Sequence, residues 1–183
     1  TYGIEGWLYS QGARQTFLST LYNRPGDPLM AASQTTLATL ALLQSVHADT
    51  YVPTLPAGIS YPEGNLGTAL KQTAALLKAQ VGVEAVAIDY GSFDHHASEG
   101  PVTINGSGPV TLAVMLRTLA QAMRAFYHDL QASPAPSYTL CCMSEFGRRL
   151  AQNANWGTDH GWANCMMVMG PSVAGGRVMA NWP

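Results

Sequence analysis

Charge is scarce in this chain. Charged residues make up 11% of it, and nine Lys and Arg are scattered among eleven Asp and Glu, for a formal net charge of −2. With no basic stripe there is no counterion release to gain on a phosphate backbone, which argues against nucleic acid as a partner. Long apolar runs are missing too. Stretches such as Leu37 to Val46 are broken by Thr, Gln and Ser and fall well short of the roughly 20 residues that cross a bilayer, so no transmembrane segment is expected. The three cysteines, Cys141, Cys142 and Cys165, cannot form a paired framework, and adjacent Cys141 and Cys142 would point to opposite faces of a strand. They are expected as core thiols. The chain opens at Thr1 without Met, a basic region or an apolar signal core, which reads as a processed chain or a fragment.

What is present suits one compact domain: 183 residues, 47% of them hydrophobic. A domain of this size buries roughly 70% of its unfolded surface, so it does not need a structural metal to stay folded. A metal, if bound, should have a function.

Apolar spacing predicts helices over residues 13–22 and about 29–47, the second with Leu37, Leu40, Leu43 and Val46 on one face and His47 in its last turn, a stabilising place for a cationic or dipolar side chain. Residues 49–63 carry Pro53, Pro56 and Pro62 and read as a surface loop or arm. Asn65 can cap a helix to about Ala79, with Leu66, Leu70, Ala74 and Leu77 at helical spacing. Val83 to Tyr90 reads as a buried parallel strand. Val110 to Leu130 is the clearest helix, with Leu112, Met115, Leu119, Met123, Phe126 and Leu130 on one face and His128 opposite. Ser137 to Met143, after the breakers Pro134 and Pro136, completes a strand, helix, strand order that implies a right-handed crossover between parallel strands. Ala163 to Met169 and Arg177 to Ala180 are further strand candidates, with Met166, Met167 and Met169 as core filler. The fold class is therefore α/β, a single domain over residues 1–183.

In open α/β sheets ligands gather beyond the carboxyl ends of the strands. Both leading strand candidates run into polar tracts there: Gly91-Ser92-Phe93-Asp94-His95-His96, and Ser144-Glu145-Phe146-Gly147-Arg148 followed by Gly157-Thr158-Asp159-His160-Gly161-Trp162. Three of the five histidines fall in these tracts. Asp94 and His96, two apart in a loop, can turn a carboxylate and an imidazole onto one ion, and Asp159 with His160 can do likewise, with flanking glycines allowing close approach. The plain alternatives are a turn-capping Asp with a surface His, and a turn residue beside a buried His. Mixed carboxylate and imidazole ligation suits zinc, manganese or iron better than magnesium, and the absence of a thiolate motif argues against a structural zinc. Glu145 and Arg148, three apart, either pair to hold their loop or line the site, Arg148 then gripping an anionic ester. Cys165 beside Asn164 would be an inert thiol. If Asp159 and His160 are to reach the same edge as Asp94, the strand from Ala163 to Met169 must run antiparallel to its predecessor.

These tracts, with Val168-Met169-Gly170, Val173-Ala174-Gly175-Gly176 and the closing Asn181-Trp182-Pro183, resemble the signature tracts of domain-of-unknown-function family 1501 from about Arg14 onward. The resemblance implies kinship with alkaline phosphatases, sulfatases and cofactor-independent phosphoglycerate mutases. It implies an alkaline-phosphatase-like sheet flanked by helices, here an incomplete portion of the full domain. It also implies export to the bacterial periplasm or envelope, often by a twin-arginine signal, and a divalent metal, zinc or manganese, on Asp94, His96, Asp159 and His160, with Glu145 and Arg148 as the catalytic candidates. The superfamily's opening strand and its Gly-rich, Asp-containing turn, which carry a nucleophile and further ligands, have no counterpart in these residues. His95 stands where the family has a small residue, and Cys165 and Met166 stand where some relatives have histidines.

Two functions follow as expectations. One is an exported, metal-dependent hydrolase of small phosphate or sulfate esters. The other is a non-catalytic relative that binds a protein partner in a cell-envelope assembly. In either case the missing portion of the same polypeptide is expected as a partner.

Overall fold

The computed structural model describes residues 12–100, 111–132 and 137–180. Val110, Pro134, Pro136 and the Asn181-Trp182-Pro183 tract, on which parts of the sequence expectations rest, lie outside the described residues. The elements run α1 (Gly12–Tyr22), α2 (Met30–Ser45), α3 (Asn65–Ala79), α4 (Leu112–Gln131), β1 (Leu140–Met143), β2 (Gly147–Arg148), β3 (His160–Gly161) and β4 (Met166–Met169). They form a mixture of helices and small antiparallel sheets. The chain divides into two compact units, residues 12–89 with 121–132, and residues 90–100 and 111–120 with 137–180.

The first unit is helical. On α2 the face carrying Leu40 turns inward while Leu42 stays exposed, as the spacing predicts. The helix ends earlier than expected, at Ser45. His47 lies beyond it with a left-handed φ of 52°, exposed rather than capping the last turn. On α3 burial extends around most of the circumference: Leu66, Leu70 and Ala74 are joined by Gln72, Thr73, Ala75 and Leu76. The N-cap is Gly64 and no side chain caps the helix, so Asn65 does not play the part expected of it. Gly67 has a packing reason, because a Cβ there would run into the backbone of Pro62, where the Pro-rich arm crosses the first turn of α3. The carboxyl half of α4 buries Ala122, Ala125, Phe126, Asp129 and Leu130.

In the second unit β1 pairs with β4 antiparallel, Leu140 opposite Met169 and Met143 opposite Met166. This is the strand direction that the site tracts demanded. β2 pairs with β3 antiparallel, Arg148 opposite His160, and a further bridge joins Arg148 to Ala163. The chain bulges out between those contacts, leaving Trp162 fully exposed.

The parallel crossover does not form. Residues 83–90 are neither helix nor strand, and Val86 is exposed, because a ladder needs a neighbour and none of the described residues pairs with this run. Ser137 to Met143 shortens to β1, and residues 177–180 are irregular, with Val178 and Met179 almost wholly exposed. The thiols and methionines expected in a core are not there. Cys141, Cys165, Met166 and Met167 are exposed, and Cys142 is half-buried, because a pair of strands has two faces and the described residues of this unit leave much of both open. Burial pushes the Cys142 thiol pKa up, with a smaller contribution from Cys165. No helix among the described residues is long and apolar enough to cross a membrane.

Candidate metal centre

Two loops and the β2–β3 ribbon of the second unit bring the site together. Residues 93–99 lie against residues 153–158 through backbone bonds: Ser98 N to Asn155 O at 2.9 Å, Glu99 N to Trp156 O at 2.8 Å and Thr158 N to His95 O at 3.0 Å. The approach is so close at Gly157 that a Cβ would sit 2.5 Å from Ala97 N and from His96 O. Thr158 Oγ1 adds a 3.1 Å hydrogen bond to Glu99. The β2–β3 pairing needs glycine for the same reason, since a Cβ on Gly147 would lie 2.6 Å from Gly161 O.

Three donor atoms converge on the outer side of this scaffold. Asp94 Oδ1 lies 3.0 Å from His160 Nε2 and 3.1 Å from His96 Nε2, and the two Nε2 atoms are 3.2 Å apart. The Asp94, His96 and His160 side chains are about half exposed, at 58%, 47% and 55%, so the cluster opens to solvent. The Phe146 ring backs the His160 imidazole at 4.3 Å between centroids.

Asp159 stands on the other side of the His96 ring. Its Oδ1 is 3.3 Å from His96 Nδ1 and accepts a 2.9 Å hydrogen bond from Asn153 Nδ2. Both carboxyl groups are held below the usual carboxylate range. For Asp94 the leading cause is the His160 hydrogen bond, with His96 and Arg148 adding to it; for Asp159 it is the Asn153 hydrogen bond, followed by His96.

Arg148 sits beneath the cluster. Its Nη1 donates to His95 O at 3.1 Å and to Thr158 O, and its Nη2 to Phe93 O at 3.2 Å and to Asp94 Oδ1 at 2.5 Å. Every terminal N–H is thus engaged, and the guanidinium both ties the two loops together and neutralises Asp94. Arg148 pairs with Asp94 rather than with Glu145, which is exposed. His95 is half-buried with Nδ1 buried and unpartnered, and it stands outside the donor cluster.

The structure therefore gathers Asp94, His96, Asp159, His160 and Arg148, and leaves Glu145 outside these contacts. Sequence reasoning missed Asn153. Its Nδ2 also donates to His96 O at 2.9 Å, while its Oδ1 accepts from Asn155 N at 3.0 Å and Gly157 N at 3.1 Å. The signal was present as Asn-x-x-x-Gly, an Asn able to close its own turn four residues before a glycine.

The chain belongs to the family described as Protein of unknown function (DUF1501), whose model matches residues 29–183, a span that includes every residue of the cluster. No curated protein and no solved structure matches it.

Proposed function

For a member of this family with such a cluster, we propose a metal-dependent hydrolase of phosphate or sulfate esters, with Asp94, His96 and His160 holding a divalent cation such as zinc or manganese. The observation that carries the reading is the triangle of donor atoms, with edges of 3.0, 3.1 and 3.2 Å. Ligand atoms that each lie about 2.0–2.2 Å from one ion stand roughly 3.0–3.5 Å apart, so the spacing of these three donors fits such an ion. Two imidazoles and one carboxylate also suit a borderline cation better than magnesium.

A divalent cation in such a site polarises an ester oxygen and lowers the pKa of water. A divalent cation would also remove the repulsion that an anionic ester meets here: Asp94, Asp159, Glu99 and Glu145 outnumber Arg148 and Arg149 by two charges, which the cation offsets. Arg148 serves that balance through Asp94. Glu145, exposed beside Phe146 and outside the donor cluster, is the carboxylate we propose for proton transfer. The tracts resemble those of domain-of-unknown-function family 1501, and the kinship with alkaline phosphatases that this resemblance implies supports the same chemistry, an alkaline-phosphatase-like ancestry and an exported, periplasmic setting.

The test is metal content by mass spectrometry on the zinc- or manganese-loaded chain and on His160→Ala, followed by turnover of aryl phosphate and aryl sulfate esters. One equivalent of metal, lost in the variant, with turnover of either ester is the expected result. Bound metal without turnover of either ester removes the hydrolase and leaves a binding site.

A second reading is a non-catalytic subunit of an envelope assembly. It draws on the exposed apolar side chains of the β1–β4 sheet, Met143 at 65% and Met166 at 57%, since contiguous exposed apolar surface marks partner interfaces. Ester turnover by the metal-loaded chain sinks it.

A further inference from the structure

Asp159 and His160 are adjacent, and the simplest expectation is that both reach the ion. The structure separates them. The donor atoms that gather within 4.8 Å of one another belong to Asp94, His96 and His160, and Asp159 is not among them. Neighbouring residues of an extended segment project to opposite sides, and here the His96 ring stands between them. His160 meets its Nε2 at 3.2 Å and Asp159 meets its Nδ1 at 3.3 Å.

We infer that Asp159 is a positioning residue rather than a ligand: it accepts a hydrogen bond from Nδ1–H of His96 and thereby turns the Nε2 lone pair toward Asp94 and His160. The inference rests on the metal reading above and deepens it to a mononuclear centre with three protein ligands. A neutral imidazole carries one N–H, so a proton held at Nδ1 leaves Nε2 as the acceptor. Ligating histidines commonly give their second N–H to a carboxylate in this way, which fixes both tautomer and ring orientation.

Asn153 completes the device. Its amide donates to Asp159 Oδ1 at 2.9 Å and to the His96 carbonyl at 2.9 Å, so one side chain holds the carboxylate and the backbone of the histidine it orients. Its oxygen is meanwhile anchored by the Asn155 and Gly157 amides at 3.0 and 3.1 Å. His160 has a different support, the Phe146 ring at 4.3 Å. The two imidazoles are therefore held by different means, one by a carboxylate and one by a ring face.

The experiment loads the full chain with cobalt(II), whose visible spectrum reports its ligands, in the wild type, Asp159→Asn, Asp159→Ala and His160→Ala. The expected result is one cobalt per wild-type chain. Asp159→Asn should keep that stoichiometry and the wild-type band positions, while competition with a chelator shows about 10- to 100-fold weaker binding. The paramagnetically shifted, exchangeable Nδ1 proton of His96 should move in Asp159→Asn and be lost to exchange in Asp159→Ala. His160→Ala should lose the cobalt or its spectrum. Asp159→Asn behaving like His160→Ala, or two cobalt ions in the wild type with one lost in Asp159→Asn, makes Asp159 a ligand and overturns the inference alone. No cobalt uptake by the wild type overturns the metal reading and the positioning role together.

Discussion

Lys78 Nζ lies 2.6 Å from Oδ1 of Asp129, a carboxylate with no solvent exposure. Around that pair the Pro-rich arm is tied down. Tyr51 OH donates to the same oxygen at 2.8 Å, Thr54 N at 3.2 Å, and Tyr61 OH to Oδ2 at 3.0 Å. Burial pulls the Lys78 pKa down, but its hydrogen bonds to Asp129 and Tyr51 outweigh that and leave it raised. A loop that its three prolines bar from regular structure is thus held by side chains and one amide converging on a single buried acid.

Removing one partner of that pair leaves the other buried and unpaired. Lys78→Met or Asp129→Asn should cost about 3–5 kcal/mol in denaturant unfolding, and the double variant Lys78→Met with Asp129→Asn should cost less than the sum of the two. Additive losses would mean that the two residues act separately.

Gly157 and Gly91 make a matched pair in the site loops. A Cβ on Gly157 would strike the backbone of His96 and Ala97, whereas one on Gly91 meets nothing within 4 Å. Gly157→Ala is expected to cost about 1–3 kcal/mol and to weaken metal binding, while Gly91→Ala should stay within about 0.5 kcal/mol of the wild type. Thermal unfolding and metal titration of both variants check this.

Arg148→Lys keeps the charge but loses the planar fork that reaches Phe93 O, His95 O, Thr158 O and Asp94 together. The expected outcome is weaker metal binding and faster amide exchange across residues 93–99. A rise in KM for an ester, with metal affinity and exchange unchanged, would instead place Arg148 on the substrate.

Asp94 and Asp159 have folded-state pKa values depressed by their partners, so the stability they contribute is present above the unfolded value of about 4 and is lost as pH falls through the lower folded values. In metal-free protein, tryptophan fluorescence followed from pH 6 downward should show the wild type losing stability below about pH 4. Asp94→Asn and Asp159→Asn should each show a shallower dependence in that window. Parallel acid profiles for all three proteins would contradict the assignment.

Chelation offers a further check. If the ion binds only the folded state, a free concentration 100 times Kd should stabilise the chain by about 2.7 kcal/mol, and a chelator should reverse the gain in melting temperature. Melting insensitive to both treatments would count against a folded-state metal site.

Helices were the most legible part of the fold, because spacing of apolar residues is a local property. The inward face of α2, with Leu40 buried, and the Leu66, Leu70, Ala74 stripe of α3 follow from the sequence alone. The strands were less legible. Val83 to Tyr90 has the composition of a buried strand, yet composition cannot supply the neighbour that a ladder needs. Asp129 is an acid in an otherwise amphipathic helix, which local spacing does not mark as buried, and only the arm folded over it supplies the partners that let it be buried.

For the site, the sequence by itself determined which side chains could bind a cation: the Asp-x-His and Asp-His tracts and the glycines that let their loops approach. Tertiary structure decided how they are placed. A donor joins a site through the direction of its lone pair, and that direction depends on residues far away in sequence: Asn153 behind Asp159, Phe146 behind His160, and Arg148 under Asp94. Two adjacent residues thus came to face a third, His96, from opposite sides, an arrangement that residue types and spacing do not encode.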